Sequence, residues 1–192
     1  MRSWFVRWIS APCSAALFAA CASSPAPSDV AHLPVYGAED ASLLDDAFSG
    51  HLFQTAFVPG TAGDDAHFED RVRSADNIWL AKVSTVSRQG SLGNNRRYEL
   101  TFRILQRLAG PRPPAQVSLT VSGKDPSFHW IDRDGGAWVG RELLLMTRDY
   151  RADQRAVLHF HGEPSTPELQ ARIRAIRAAA EAAERAAPAP KK

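Results

Sequence analysis

Cysteine is nearly missing from this chain of 192 residues, which carries only Cys13 and Cys21. Both lie close to the start, so no disulfide can staple anything downstream and the fold must rest on a hydrophobic core. Long apolar runs are missing as well. A membrane-spanning helix needs about 20 apolar residues, and the stretch Trp8 to Ala20 is shorter and interrupted by Pro12 and Ser14. Charge of one sign is not in excess: 23 Lys and Arg stand against 21 Asp and Glu. The global positive charge that drives nucleic-acid binding is therefore absent. There is no GxSxG elbow, phosphate loop, HExxH or CxxC, so the familiar nucleophilic, nucleotide and zinc-hydrolase signatures are excluded.

What is present begins with an address. Arg2 and Arg7 precede the short apolar stretch, and small residues, Ala19 and Ala20, close it directly before Cys21. That order is a charged n-region, an apolar h-region and a cleavage site. The run Leu17-Phe18-Ala19-Ala20-Cys21 resembles the lipobox of bacterial lipoproteins. The resemblance implies a signal peptide over 1–20, cleavage before Cys21, and a thioether-linked diacylglycerol on Cys21, usually with palmitate or a similar acyl chain on its new amino group. Plain secretion with cleavage after Ala20 or Ala22 uses the same small residues and is the alternative. Each buried methylene contributes about 0.8 kcal/mol, and two or more acyl chains hold a protein stably on a membrane. Ala22, rather than Asp, follows the cysteine; by resemblance to lipoprotein sorting, this favours the outer over the inner membrane.

Cleavage removes Arg2 and Arg7 and no acid, leaving 21 basic and 21 acidic residues, and 20 fewer than 192 residues leaves a mature chain of 172. That length suits one domain with flexible ends. Residues 21–31, rich in Ala, Ser and Pro, read as a flexible tether. Residues 32–70 read as a segment wrapping on the domain, with Asp40 able to cap a short helix carrying Leu43, Leu44 and Phe48. Residues 71–186 hold the domain proper, and 187–192 form a disordered tail.

From Asn77 the period becomes two. Asn77 to Val86 reads as a buried strand, and Tyr98, Leu100, Phe102 and Ile104 share one face of the next, with Glu99, Thr101 and Arg103 on the other. Val117, Leu119 and Val121 mark a third strand, Leu143 to Met146 a fourth and Ala156 to Phe160 a fifth. Leu100, Phe102 and Ile104 are expected to pack with Leu119, Leu144 and Leu158. A helix follows with Thr166 as N-cap, Pro167 in its first position and a stripe of Leu169, Ile173, Ile176 and Ala180. The expected fold is mainly β (α+β): a small five-stranded antiparallel OB-like barrel with a C-terminal helix.

Ser74-Ala75-Asp76, Tyr98-Glu99-Leu100-Thr101-Phe102, Leu108-Ala109-Gly110-Pro111 and Val139-Gly140-Arg141 come in an order that resembles lipoproteins of myxobacteria and their relatives, over about residues 68–176. The layout is also similar to the netrin-like OB fold, which includes metalloproteinase inhibitors. Those inhibitors act through a disulfide-rich N-terminus that this chain lacks, so inhibition stays a minor alternative.

Candidate chemistry is sparse. His159 and His161, two apart on a strand, share a face; a metal would need a third ligand such as Glu163 or His129. Two histidines on a polar strand face is the simpler reading, so no metal, cofactor or catalytic residue is assigned. Asp132-Arg133-Asp134-Gly135-Gly136 resembles the start of a calcium loop, but Gly136 and Arg141 break the register, leaving a hydrated turn. The stretch 123–141 gathers Phe128, Trp130 and Trp138 in what reads as a Gly- and Asp-rich loop. These rings are the candidate binding residues; the competing reading is that they plug one end of the barrel. The expected function is a non-enzymatic, lipid-anchored module of the bacterial cell envelope, facing the periplasm and binding an envelope partner but not nucleic acid. A periplasmic metal-dependent enzyme using His159 and His161 is the alternative.

Overall fold

The computed structural model describes residues 30–53, 66–90 and 96–187. Cys21, the signal peptide, the tether up to residue 29 and the tail from 188 lie outside the described residues.

Among the described residues six strands form one mixed sheet: β1 (Ala47–Phe48), β2 (Asn77–Gln89), β3 (Arg97–Ala109), β4 (Gln116–Ser122), β5 (Glu142–Ala152) and β6 (Arg155–Pro164). Their order across the sheet is β1-β6-β5-β2-β3-β4. All pairings are antiparallel except the two-residue β1, which runs parallel to β6 through Ala47–His161 and Phe48–Gly162. Sequence reasoning expected five strands. β1 has too few residues to show alternation, and its pairing is set by a strand far along the chain. Register shifts in β2 at Ile78/Trp79, Leu80/Ala81 and Val83/Thr85 mark irregularities against β3; such bulges strengthen twist and bend a sheet. The result is a half-barrel.

The sheet curls around one core and carries a second on its back. Inside lie Trp79, Ala81 and Val83 of β2, Leu100 and Phe102 of β3, Leu119 of β4, Leu143 and Leu145 of β5 and Phe160 of β6. Strands at both edges contribute to this cluster, β1 through Phe48 and β4 through Leu119 and Val121, and the Phe48 ring lies 6.2 Å from that of Phe102. The alternation read from β3 holds: Tyr98, Leu100 and Phe102 are buried, and Ile104 packs half-buried against the same cluster. Leu144 was expected there too. It faces the opposite way, with Met146, because β5 is covered on both sides and its neighbours Leu143 and Leu145 take the inner face. Leu158 is half-buried at the margin of the inner cluster.

Four α-helices complete the fold among the described residues: α1 (Ala38–Leu43), α2 (Phe68–Ser74), α3 (Phe128–Asp134) and α4 (Pro167–Ala186). Helices α2 and α4 cover the back of the sheet, burying Phe68, Val72, Leu169 and Ile173 against Ile78, Leu144, Met146 and Tyr150. Helix α4 starts as its punctuation requires, with Pro167 in the first turn and the Thr166 hydroxyl accepting from the Leu169 N–H at 3.2 Å. In α1, Asp40 sits inside the helix and accepts from the Gly37 N–H, capping it from the third position. Val30, assigned to the tether, is 5 % exposed, so this residue is packed on the domain. Among the described residues no helix is long and apolar enough to cross a membrane.

Candidate functional site

Strand alternation places His159, His161 and Glu163 on the same, back face of β6, as their spacing predicts. The turn between α1 and β1 lies over them and delivers Asp45 and Asp46. The His161 Nδ1 is 2.7 Å from Asp45 Oδ1, and its Nε2 is 3.2 Å from Glu163 Oε1. Arg71 of α2 reaches the same Glu163 oxygen at 3.4 Å and donates through Nε to the Leu43 carbonyl at 2.6 Å. Arg71, His161 and Glu163 are 3, 5 and 2 % exposed, so these are charges held away from water. Burial works against a charged His161, but hydrogen bonds to Asp45 and Glu163 outweigh both it and the nearby Arg71, holding the imidazole pKa above its ordinary value. A ring with carboxylates on both nitrogens is satisfied only as the doubly protonated cation. Arg71 and His161 thus stand against Asp45 and Glu163, opposite charges set together as buried charges require.

His159 has a separate set of partners. Its Nδ1 is 2.7 Å from Asp46 Oδ2, and the Tyr36 ring stacks on it at 3.6 Å, 4° from parallel. Asp46 adopts a positive φ of 52° and turns its other oxygen to the Phe160 N–H at 3.1 Å. Burial raises the Asp46 carboxyl above its usual range, although His159 and the Phe160 N–H favour its charged form. The two histidines therefore share a face without converging on a common point, each bound to its own carboxylate. Glu163 does meet His161, as a hydrogen-bond partner. His129 is remote from both, exposed on α3 beside Trp130, with ring centroids 4.5 Å apart. Among the described residues no three His, Cys, Asp or Glu side chains are grouped to hold a metal ion. Asp45, Asp46 and Arg71 went unnoticed in the sequence. Only the adjacent acids at 45 and 46 gave any signal, and acid pairs on loops are common.

The stretch 123–141 is a short helix rather than a loop. It forms α3 and a single 3-10 turn over Gly135–Trp138, seated across one end of the half-barrel. Trp138 is 1 % exposed and packs on Phe48 and Phe53, with centroids 4.9 and 5.0 Å away. It is a core residue, and its ring fills the open end. Phe128 and Trp130 are half-buried. Trp130 stacks on Phe53 at 4.9 Å and lies under the Arg133 guanidinium at 4.7 Å. Phe128 packs on Tyr98 at 5.6 Å. Asp132, from the calcium-like turn, accepts from the Tyr98 hydroxyl at 2.6 Å and from Arg96 at 2.9 Å, and its pKa is lowered first by the Tyr98 hydrogen bond. These contacts pin α3 to β3.

No protein-family model matches the chain, and no curated protein matches it.

Proposed function

We propose that this protein is a lipid-anchored component of the bacterial cell envelope, held through Cys21 at the outer membrane and facing the periplasm, whose domain is a non-enzymatic binding module. The observation that carries this reading is the sequence order: Arg2 and Arg7, an apolar stretch, Leu17-Phe18-Ala19-Ala20, then Cys21 followed by small and Pro-rich residues. The domain reading is OB-like. Five antiparallel strands, β2 to β6, in the order β6-β5-β2-β3-β4, with α3 between β4 and β5, support it, since an OB barrel is five-stranded and partly open. The binding reading draws support from the histidines of β6, both of whose rings are committed to carboxylates in structural roles.

The test is metabolic labelling with a fatty acid in the native host. Wild-type protein incorporates the label into the envelope fraction. Cys21→Ala abolishes incorporation and yields an uncleaved or soluble product. Undiminished labelling of Cys21→Ala overturns the anchor, since Cys13 is then the only thiol left.

A further inference from the structure

The half-barrel has a seam. Among the described residues strand β4 pairs only with β3, and residues 155–160 of β6 pair only with β5, so each leaves one edge without a strand partner there. The direction of each main-chain group follows from alternation. On β4, the Ala115 carbonyl accepts from Ile104 of β3, so Ser118, Thr120 and Ser122 turn their N–H and C=O groups outward. On β6, the Phe160 carbonyl accepts from the Asp46 N–H, so Phe160, Leu158 and Ala156 turn theirs to the same seam.

One end of this seam is already closed, by the same device on both sides. Asp125 accepts from the Ser122 N–H through its carboxylate and returns its own N–H to the Ser122 carbonyl. Asp46 does the same for Phe160. The outward groups of Ser118, Thr120, Ala156 and Leu158 have no such partner among the described residues. Between the two edges lies a cleft of about 300 Å3 lined by Asp46, Ser118, Leu119, Thr120, Leu158 and Phe160. Strand β4 also lacks what guards an exposed edge: Gln116–Ser122 contains no Lys, no Pro and no charge of either sign.

We infer that this seam is a binding site for an extended peptide of a partner protein, which enters as an added strand between β4 and β6 and begins with Lys or Arg. β4 and β6 run in the same direction, since each is two antiparallel steps from β2. One inserted strand can therefore be antiparallel to both, hydrogen-bonding to β4 and β6 at alternate residues. Alternation also sets its pattern: apolar side chains fall on Leu119, Leu158 and Phe160, and polar ones point to solvent. In that orientation its N-terminus meets the closed end. There the carboxylates of Asp46 and Asp125 cap the two edges; burial is the main cause of the raised Asp46 pKa and the charge of Asp125 adds to it, so a leading cation complements this acidic end. The inference deepens the binding-module reading and rests on it, but not on the anchor.

The test uses the purified full chain and a synthetic eight-residue peptide that begins with arginine and then alternates valine with threonine. Binding is followed by fluorescence anisotropy and by amide hydrogen exchange. The expected result is saturable binding that protects the amides of Ser118, Thr120, Ala156 and Leu158. Thr120→Pro removes an outward N–H that no ladder bond uses, so it keeps the fold and weakens binding about tenfold, as one hydrogen bond lost with its partner left unmet would do. Methylating two central peptide nitrogens, a change that leaves the protein untouched, abolishes binding. Replacing the leading arginine with glutamate weakens it. The inference is overturned by no binding, by equal binding of the N-methylated peptide, by protection confined to α3, or by a seam protected without peptide in a dimer of this chain. A stoichiometric envelope partner that ignores Thr120→Pro also overturns it, yet leaves the binding-module reading standing.

Discussion

At the scale of single residues, the most consequential group is His161. Its partners are Asp45 from the α1–β1 turn, Glu163 beside it on β6 and, through Glu163, Arg71 from α2. Its folded-state pKa is raised above an unfolded value of about 6.5. A raised value means that protonation favours the folded state, so the stabilisation is complete below the unfolded pKa and fades as pH rises through the folded one. Urea midpoints of the wild type and His161→Gln, compared across a pH series, should therefore differ most in acid and converge toward alkaline pH. A margin that stayed constant or widened with pH would contradict this assignment. That His159, His161 and Glu163 share a face was legible from sequence, because a strand alternates. Their partners were not: Asp45 is 116 residues from His161 and Arg71 is 92 from Glu163, and neither acid nor arginine lies in a periodic pattern.

At the scale of elements, legibility followed length and punctuation. Helix α4 could be read because cap, proline and apolar stripe agree over 20 residues. Helices α2 and α3 escaped notice, each having seven residues and one face to bury. In α3 the glycines and acids at its end suggested a loop, while Ile131, 0 % exposed, was the sign of an inward face. In α4 the N-cap and the stripe act separately. Thr166→Ala should cost about 1 kcal/mol by freeing one backbone donor, and Ile173→Ala about 2–5 kcal/mol by opening a cavity over Met146 and Leu144. Paired thermal and urea melts check the order. Equal losses would mean that α4 is held by its cap rather than by its stripe.

At the scale of the whole molecule, stability is divided between the two faces of one sheet. Phe102 of β3, fully buried in the inner cluster, packs near Phe48 of the edge strand β1, so Phe102→Ala should cost about 3–5 kcal/mol, a large share of the stability of a domain this size. A urea midpoint unchanged by that substitution would show that the inner cluster does not hold the two edges together. Alternation in β3 and β4 made this face legible. It failed for β5, where five consecutive buried residues, Leu143 to Thr147, cannot be divided between faces by pattern alone.

The two-residue strand β1 carries a consequence for the order in which the chain can assemble. Asp40 meets Tyr150 across 110 residues, and Asp46 meets Phe160 across 114. The β2–β3, β3–β4 and β5–β6 pairs, by contrast, join strands adjacent in sequence. Synthesis delivers the N-terminus first, so residues 30–53 emerge long before the strand they dock on. Closing so long a span costs more chain entropy than closing a hairpin, and local pairs form sooner. The earliest of the described segments to be made is thus the last to find its place, and until β6 arrives its apolar residues, Leu44, Phe48 and Leu52, must travel without the strand they dock on.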